Sequence, residues 1–185
     1  MEIELTGIDQ LIVLKPKVFG DSRGYFFESY SALQFESMGL SAKFVQDNES
    51  MSSKGVLRGL HFQRGVHAQA KLVRVVRGSV YDVAVDLRPD SPTFGNHFGA
   101  VLSSENKKMM FIPEGFAHGF LTLEDHTVFQ YKVTNYYNKE SEGGIIYNDV
   151  DLNINWPEGN YLLSEKDLTL PTFNTFKLKK DLSIF

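Results

Sequence analysis

Through the middle of the chain, apolar and polar side chains alternate with a period of two, the signature of strands that turn one face to a core. Four runs carry it: Lys71 to Arg77, Ser79 to Leu87, His97 to Leu102 and Thr127 to Thr134. Gly78 lies between the first two and predicts a tight hairpin joining them. In K-L-V-R-V-V-R, Lys71, Val73 and Val75 share one face while Leu72, Arg74 and Val76 share the other, so Lys71 is expected on a largely apolar face. The same arithmetic in V-F-Q-Y-K-V groups Phe129, Tyr131 and Val133 and sends Gln130 and Lys132 the opposite way, which makes Tyr131 an inward candidate. One segment departs from the period of two: Ser31 to Met38 reads as a helix, with Ser31 as its N-cap and Gly39 as its stop. The C-terminal third mixes turns with short segments. Many strands punctuated by Gly and Pro predict an all-β sandwich or barrel. No internal repeat, linker or low-complexity tract divides the chain, so residues 1–185 are expected to form one domain with a full core.

Charge narrows the partners. With 23 Asp and Glu against 19 Lys and Arg, the net charge is −4, which argues against a general attraction to nucleic acid or to an anionic membrane. Any phosphate has to be met by a local basic pocket. There is no cysteine, which excludes disulfides and thiolate metal sites and fits a reducing compartment. The opening M-E-I-E-L-T-G carries acid where a secretory signal needs a basic start, and no apolar run approaches the roughly 18 residues of a spanning helix. A soluble cytoplasmic protein is the expectation.

The densest chemistry lies in K-G-V-L-R-G-L-H-F-Q-R-G-V-H-A-Q-A-K, Lys54 to Lys71, which places Arg58, His61 and Lys71 on strand-like segments. Arg58 and His61 are three residues apart, an odd step in the strand period, so a bend at Gly59 is needed to bring both to one site. A second segment, F-I-P-E-G-F-A-H-G-F from Phe111 to Phe120, uses Pro113 and Gly115 to turn the chain and deliver His118 into a strand. Each residue alone has a plain structural reading beside a functional one. His61 suits a core histidine as well as a base. An enclosed Arg58 calls for an anion, either a structural carboxylate or a substrate phosphate. Lys71 on an inward face needs a paired partner or a use, such as stabilising developing negative charge. Tyr131 is either core or a proton donor with an ordinary pKa of about 10. Together they suggest a small β-barrel enzyme working on an anionic sugar.

A metal is the natural alternative, since His61, His67 and His118 are imidazole donors. The spacing argues against it. H-F-Q puts Gln63 where a second ligand would stand, and the downstream Lys71 would be repelled by a divalent ion. No metal is expected. Three polar stretches complete the inventory. F-G-D-S-R-G-Y-F-F-E, Phe19 to Glu28, joins a glycine turn and Arg23 to an aromatic cluster and Glu28, and by itself reads as a hairpin edge. F-V-Q-D-N-E-S, Phe44 to Ser50, sets polar groups in a strand-like run that need partners if buried, which a hydroxyl-rich sugar supplies. N-Y-Y-N-K-E-S-E-G-G, Asn135 to Gly144, is either a solvated turn or a platform for a flat base.

The segments F-G-D-S-R-G-Y-F-F-E, F-V-Q-D-N-E-S, V-L-R-G-L-H-F-Q, K-L-V-R-V, V-Y-D-V-A-V-D-L-R, S-P-T-F-G, I-P-E-G-F-A-H-G-F and Y-K-V-T-N-Y-Y occur in an order that closely resembles the dTDP-4-dehydrorhamnose 3,5-epimerase family. The resemblance runs from about Phe19 through Asp167. It implies an all-β cupin fold, a double-stranded β-helix or jelly roll with a few short helices. It also implies a homodimer, no cofactor, and epimerisation at C3 and C5 of a dTDP-4-keto sugar in dTDP-L-rhamnose biosynthesis. Carried over by position, it makes His61 the base, Asp167 its dyad partner, Lys71 the charge stabiliser and Tyr131 the proton donor. Asp167 is a residue that spacing alone does not single out. The implied substrate contacts are Arg23, Glu28, Gln46, Asp47, Asn48, Arg58, His118, Glu142 and Lys166, with Tyr137 stacking on thymine. In the family, part of the N-terminal segment crosses into the partner subunit's site, so Arg23 and Glu28 are expected to act across a dimer. The first ten or so residues and the tail after Pro171 match no motif. Two rival readings remain: a single-centre epimerase, and a non-catalytic cupin that binds nucleotide sugars. The second needs Arg58 and Tyr137 but has no use for His61, Lys71, Tyr131 and Asp167 together.

Overall fold

The computed structural model describes residues 1–40 and 42–178. Two antiparallel sheets carry the chain. The larger contains β1 (Glu2–Leu5), β2 (Ile12–Lys15), β5 (Gln46–Ser52), β7 (Lys71–Arg77), β10 (Met109–Ile112) and β12 (Thr127–Val133), in the order β1-β2-β10-β7-β12-β5. The smaller contains β6 (Leu57–Gln63), β8 (Ser79–Asp86), β9 (His97–Ser103), β11 (Phe116–Thr122) and β13 (Glu142–Gly144), in the order β13-β6-β11-β8-β9. A separate ribbon pairs β3 (Phe19–Asp21) with β4 (Gly24–Phe26). From β9 to β12 the chain changes sheet at every strand, the wiring of a jelly roll. The expected cupin architecture is the one observed.

Three apolar layers explain the strand patterns. Between the sheets, Val73 and Val75 of β7, Met110 and Ile112 of β10 and Phe129 of β12 meet Val80 and Ala84 of β8 and Phe116 and Phe120 of β11. The outer face of the larger sheet buries Ile12, Leu14, Leu72 and Phe111 under α1 (Ala32–Ser37), which inserts Phe35. The outer face of the smaller sheet buries Leu60, Phe62, Val83 and Val85 under the C-terminal segment, where α3 (Phe173–Leu178) inserts Phe173 and Phe176. β11 is therefore buried at every position and shows no alternation, because both its faces are covered. Ser31 caps α1 by accepting the Gln34 N–H at 3.4 Å, and Gly39 follows at φ +76 in the left-handed region that ends helices. Two further helices, α2 (Glu165–Leu168) and α3, run four and six residues, too short to show a helical period in the sequence.

The hairpin expected at Gly78 does not form. β7 pairs with β10 and β12, whereas β8 pairs with β11 and β9, so the chain leaves one sheet at Gly78 and enters the other. Gly78 has φ +78, and a Cβ there would collide with the Thr127 side chain. The glycine marks a sheet-to-sheet corner, not a two-strand turn. Both strands carry apolar residues on both faces, and burying both faces of each favours separate sheets over mutual pairing. The tail also differs in part: Phe173 and Phe176, which match no motif, are core residues, while residues 179–185 lie outside the described residues.

Candidate active site

The mouth of the space between the sheets holds a cavity of about 520 Å³, lined among others by Arg58, His61, Lys71, His118, Tyr131 and Asp167. A second recess of about 260 Å³, lined by Gln46, Asn48, Tyr137 and Glu142, shares His61, Lys71 and Tyr131 as a common wall. The two sheets contribute opposite walls: His61 and His118 come from the smaller, Lys71 and Tyr131 from the larger. Their alternation places them there. Lys71 and Tyr131 continue the inward rows of Val73 and Phe129, as their strand parity predicts, and His118 continues that of Phe116 and Phe120.

Arg58 reaches the same cavity through a break in register. His118 pairs with His61, but Phe120 pairs with Arg58, so β6 carries one extra residue against β11. This bulge turns Arg58, which strict alternation would send outward, onto the inner face. The bulge depends on glycine. Gly59 has φ +115, and a Cβ on it would lie 2.6 Å from Gly119 Cα and 2.7 Å from the His118 carbonyl oxygen. Arg58 is exposed at the cavity mouth, not enclosed, and donates to Ser52 Oγ at 3.2 Å.

His61 Nε2 lies 2.6 Å from Asp167 Oδ1. Asp167 sits in the first turn of α2, where its N–H donates to the capping Ser164 Oγ at 3.1 Å. Burial pushes the Asp167 carboxyl up, but hydrogen bonds from His61, Ser164 and the Gly59 N–H outweigh this and leave it below the usual carboxylate range. Asp167 therefore stays ionised and holds His61 with Nδ1 free of that bond. Enclosure lowers the Lys71 ammonium from 10.5 to about 8, with the Asp82 and Glu142 carboxylates pulling in the opposite direction. Burial pushes the Tyr131 phenol up, against the pull of Arg58, so it keeps its proton at neutral pH. The arrangement offers a base from one wall, and from the other a cation for developing negative charge and a phenolic proton.

At the rim, Tyr137 Oη donates to Glu142 Oε2 at 2.9 Å, and Lys166 Nζ pairs with the same oxygen at 2.6 Å. Gln46 donates to Asn48 Oδ1 at 2.7 Å beside them. Three expected contacts lie elsewhere within this chain. Arg23 stands exposed at the tip of the β3–β4 ribbon, paired with Asp21 at 2.6 Å. Glu28 accepts from Gln34 Nε2 at 2.6 Å. Asp47 points to the opposite face of β5 and pairs with Lys132 at 2.8 Å. The structure also brings forward residues to which the sequence reading gave no role in the site. Asp82 is fully buried against His118, and Glu49 and Gln63 line the cavities. For Asp82 the signal was present, since alternation in V-Y-D-V-A-V-D puts it in the core-facing row with Val80 and Ala84. Among the described residues, no three His, Asp or Glu side chains gather as a metal-binding group, and His67 bonds Ser141 Oγ at 2.9 Å. No described helix is long and apolar enough to cross a membrane.

Comparison with known proteins places this geometry. The sequence model for dTDP-4-dehydrorhamnose 3,5-epimerase matches residues 5–175. A Salmonella typhimurium protein named dTDP-4-dehydrorhamnose 3,5-epimerase is 56% identical over 168 residues, 90% of this chain and 92% of its own. The crystal structure of dTDP-4-dehydrorhamnose 3,5-epimerase from Elizabethkingia anophelis superposes with a TM-score of 0.91 at 53% identity, covering 95% of this chain and 97% of that one. A Legionella pneumophila dTDP-6-deoxy-D-glucose-3,5-epimerase, solved in complex with dTDP-4-keto-L-rhamnose, gives 0.92 at 49% identity over 96% and 95%. With agreement in sequence and fold over nearly the whole chain, this protein belongs to the dTDP-4-dehydrorhamnose 3,5-epimerase family.

Proposed function

We propose that this protein inverts carbons 3 and 5 of dTDP-4-dehydro-6-deoxy-D-glucose to give dTDP-4-dehydro-L-rhamnose. The observation that carries the reading is the opposition of His61, held by Asp167, to Lys71 and Tyr131 across one cavity. Both carbons flank the C4 carbonyl. When neutral His61 takes the proton from either, the C–H electrons form the enolate C=C and the carbonyl electrons move to O4. Lys71 meets that negative charge, a contribution of about 3–4 kcal/mol by analogy with single oxyanion donors. Inversion then needs a proton from the other face, and Tyr131 delivers it from the opposite sheet. The proton count closes through solvent exchange at His61 and Tyr131. No oxidation state changes, so the reaction calls for no redox cofactor.

Arg58 and Lys166 are suited to the diphosphate, with Gln46, Asn48 and His118 as polar contacts and Tyr137 as the platform for thymine. Asp47, turned outward, reaches substrate only through its backbone. Arg23 and Glu28 lie away from their own cavity, which supports a homodimer in which the β3–β4 ribbon serves the partner's site. A cytoplasmic enzyme fits the cysteine-free composition.

The test is NMR of C3 and C5 in deuterium oxide with this substrate, product being trapped by a reductase. The wild type exchanges and inverts both centres. His61→Ala abolishes exchange at both, and Tyr131→Phe retains exchange while impairing inversion, read at C5. Exchange at one carbon in the wild type would identify a single-centre epimerase, and none would leave a binding protein. Full epimerisation by His61→Ala would refute the base assignment.

A further inference from the structure

A second histidine–carboxylate pair lies behind the first, and the proton transfers leave it unused. Asp82 has no solvent exposure and His118 only 7%. His118 Nε2 lies 3.0 Å from Asp82 Oδ2 and 3.1 Å from Oδ1. The His118 ring stacks against Phe129 at 6.1 Å and 20°, which holds its plane, and its strand position faces His61. Among the described residues, Asp82 has no side-chain hydrogen-bond partner except His118.

Lys71 faces this pair from the opposite wall of the same cavity. The charged and titratable groups around it are Asp82 of β8, His118 of β11, Tyr131 of β12, Glu142 of β13, and His61 of β6 with its Asp167. Arg58, Glu49 and Lys166 complete the cavity's charges. The carboxylates are not equivalent. Asp167 is committed to His61, and Glu142 sits at the rim committed to Lys166 and Tyr137. Asp82 is sealed from water, so its field on Lys71 is the least screened. Enclosure draws the Lys71 ammonium toward neutrality, and Asp82 is the larger of the two opposing influences. Burial likewise lowers His118, which lets it remain a neutral donor to Asp82 and leaves the carboxylate's charge for Lys71.

We infer that Asp82 is a positioning residue that fixes His118 in one ring orientation and keeps the Lys71 ammonium charged while the enolate forms. The role assigned to Lys71 rests on the epimerase reading; the charge coupling itself does not. Asp82→Asn preserves shape and removes only the charge. The experiment titrates Lys71 in substrate-free protein by NMR with ε-13C lysine, assigned through Lys71→Arg, and follows kcat/KM against pH. The Lys71 midpoint is expected to fall by about one unit or more from its wild-type value near 8. The alkaline limb of kcat/KM should move with it, and activity should recover toward wild type as pH is lowered. An unmoved midpoint, or a loss of activity uniform across pH, overturns the inference. Wild-type inactivity on this substrate would sink the epimerase reading while the titration still decides on Asp82. Should Asp82→Asn fail to fold, Asp82→Glu takes its place. The retained charge is expected to hold the Lys71 midpoint within about half a unit of wild type, and a fall of a full unit refutes the coupling.

Discussion

The short bond between His61 and Asp167 joins residues 106 positions apart and does two things for a base. It selects the tautomer, because an ionised carboxylate accepts the Nε2 proton and leaves Nδ1 unprotonated. In the proposed reaction it also stabilises the imidazolium once the substrate proton has moved. Asp167→Asn presents an amide N–H that favours the wrong tautomer, so kcat is expected to fall by about 10²–10⁴ with KM little changed in steady-state assays. A KM effect alone would mean that Asp167 only shapes the cavity. Lys71 sets the alkaline side. Its folded pKa is about 8 against an ordinary 10.5, so between those values the unfolded chain holds a proton that the folded protein has released. Enclosing Lys71 therefore costs stability below pH 8, and that cost fades as pH rises toward 10.5. Activity runs the other way: kcat/KM is expected to decline as pH rises through about 8, because the charge that meets the enolate is lost. The inward placement of Lys71 and Tyr131 was readable from strand parity. The Asp167 contact was not, since nothing local to a four-residue helix points at a strand 106 residues away.

At the scale of the element, the β6 bulge decides whether Arg58 and His61 share a site. The odd spacing already required a bend at Gly59, and the structure supplies the reason for glycine there: the positive φ and the close approach of Gly119 and the His118 carbonyl leave no room for a Cβ. Gly59→Ala is expected to cost about 2–4 kcal/mol in denaturant unfolding, since the contact is backbone on backbone and cannot yield by a rotamer change. Any folded fraction should show a larger loss in kcat than the stability change explains, because β6 would re-register and withdraw Arg58. Stability within about 0.5 kcal/mol of wild type would show that the bulge tolerates a side chain. Gly78 is the converse case, a glycine that turns the chain from one sheet to the other. A glycine at positive φ marks where a strand ends, but the same residue serves a hairpin or a sheet-to-sheet crossing, and only the partners of β7 and β8 tell them apart.

Across the molecule, the β3–β4 ribbon is the element that stands apart from both sheets. Phe19, Tyr25 and Phe26 are 53–64% exposed on it, and Arg23 projects from its tip into solvent. In the proposed homodimer this ribbon completes the partner's cavity. Two individually impaired variants, Arg23→Ala and His61→Ala, should then complement when mixed, unfolded and refolded together. Each heterodimer has one site with an intact His61 and an intact Arg23, so random pairing gives about a quarter of wild-type activity. Additive residual activities in the mixture would show that Arg23 acts within its own chain. Read alone, the amino-acid sequence carried the all-β class, the capped helix at Ser31, the inward rows of Lys71 and Tyr131 and, through ordered motifs, the resemblance to the family. These are local properties, written in the alternation and in the conformational demands of Ser and Gly. Which sheet each strand joins, that His61 meets Asp167, that His118 faces inward with Asp82 sealed behind it, and that Asp47 turns away to Lys132 emerge in the folded chain. Those outcomes depend on which distant faces bury one another, a collective choice that no single segment encodes.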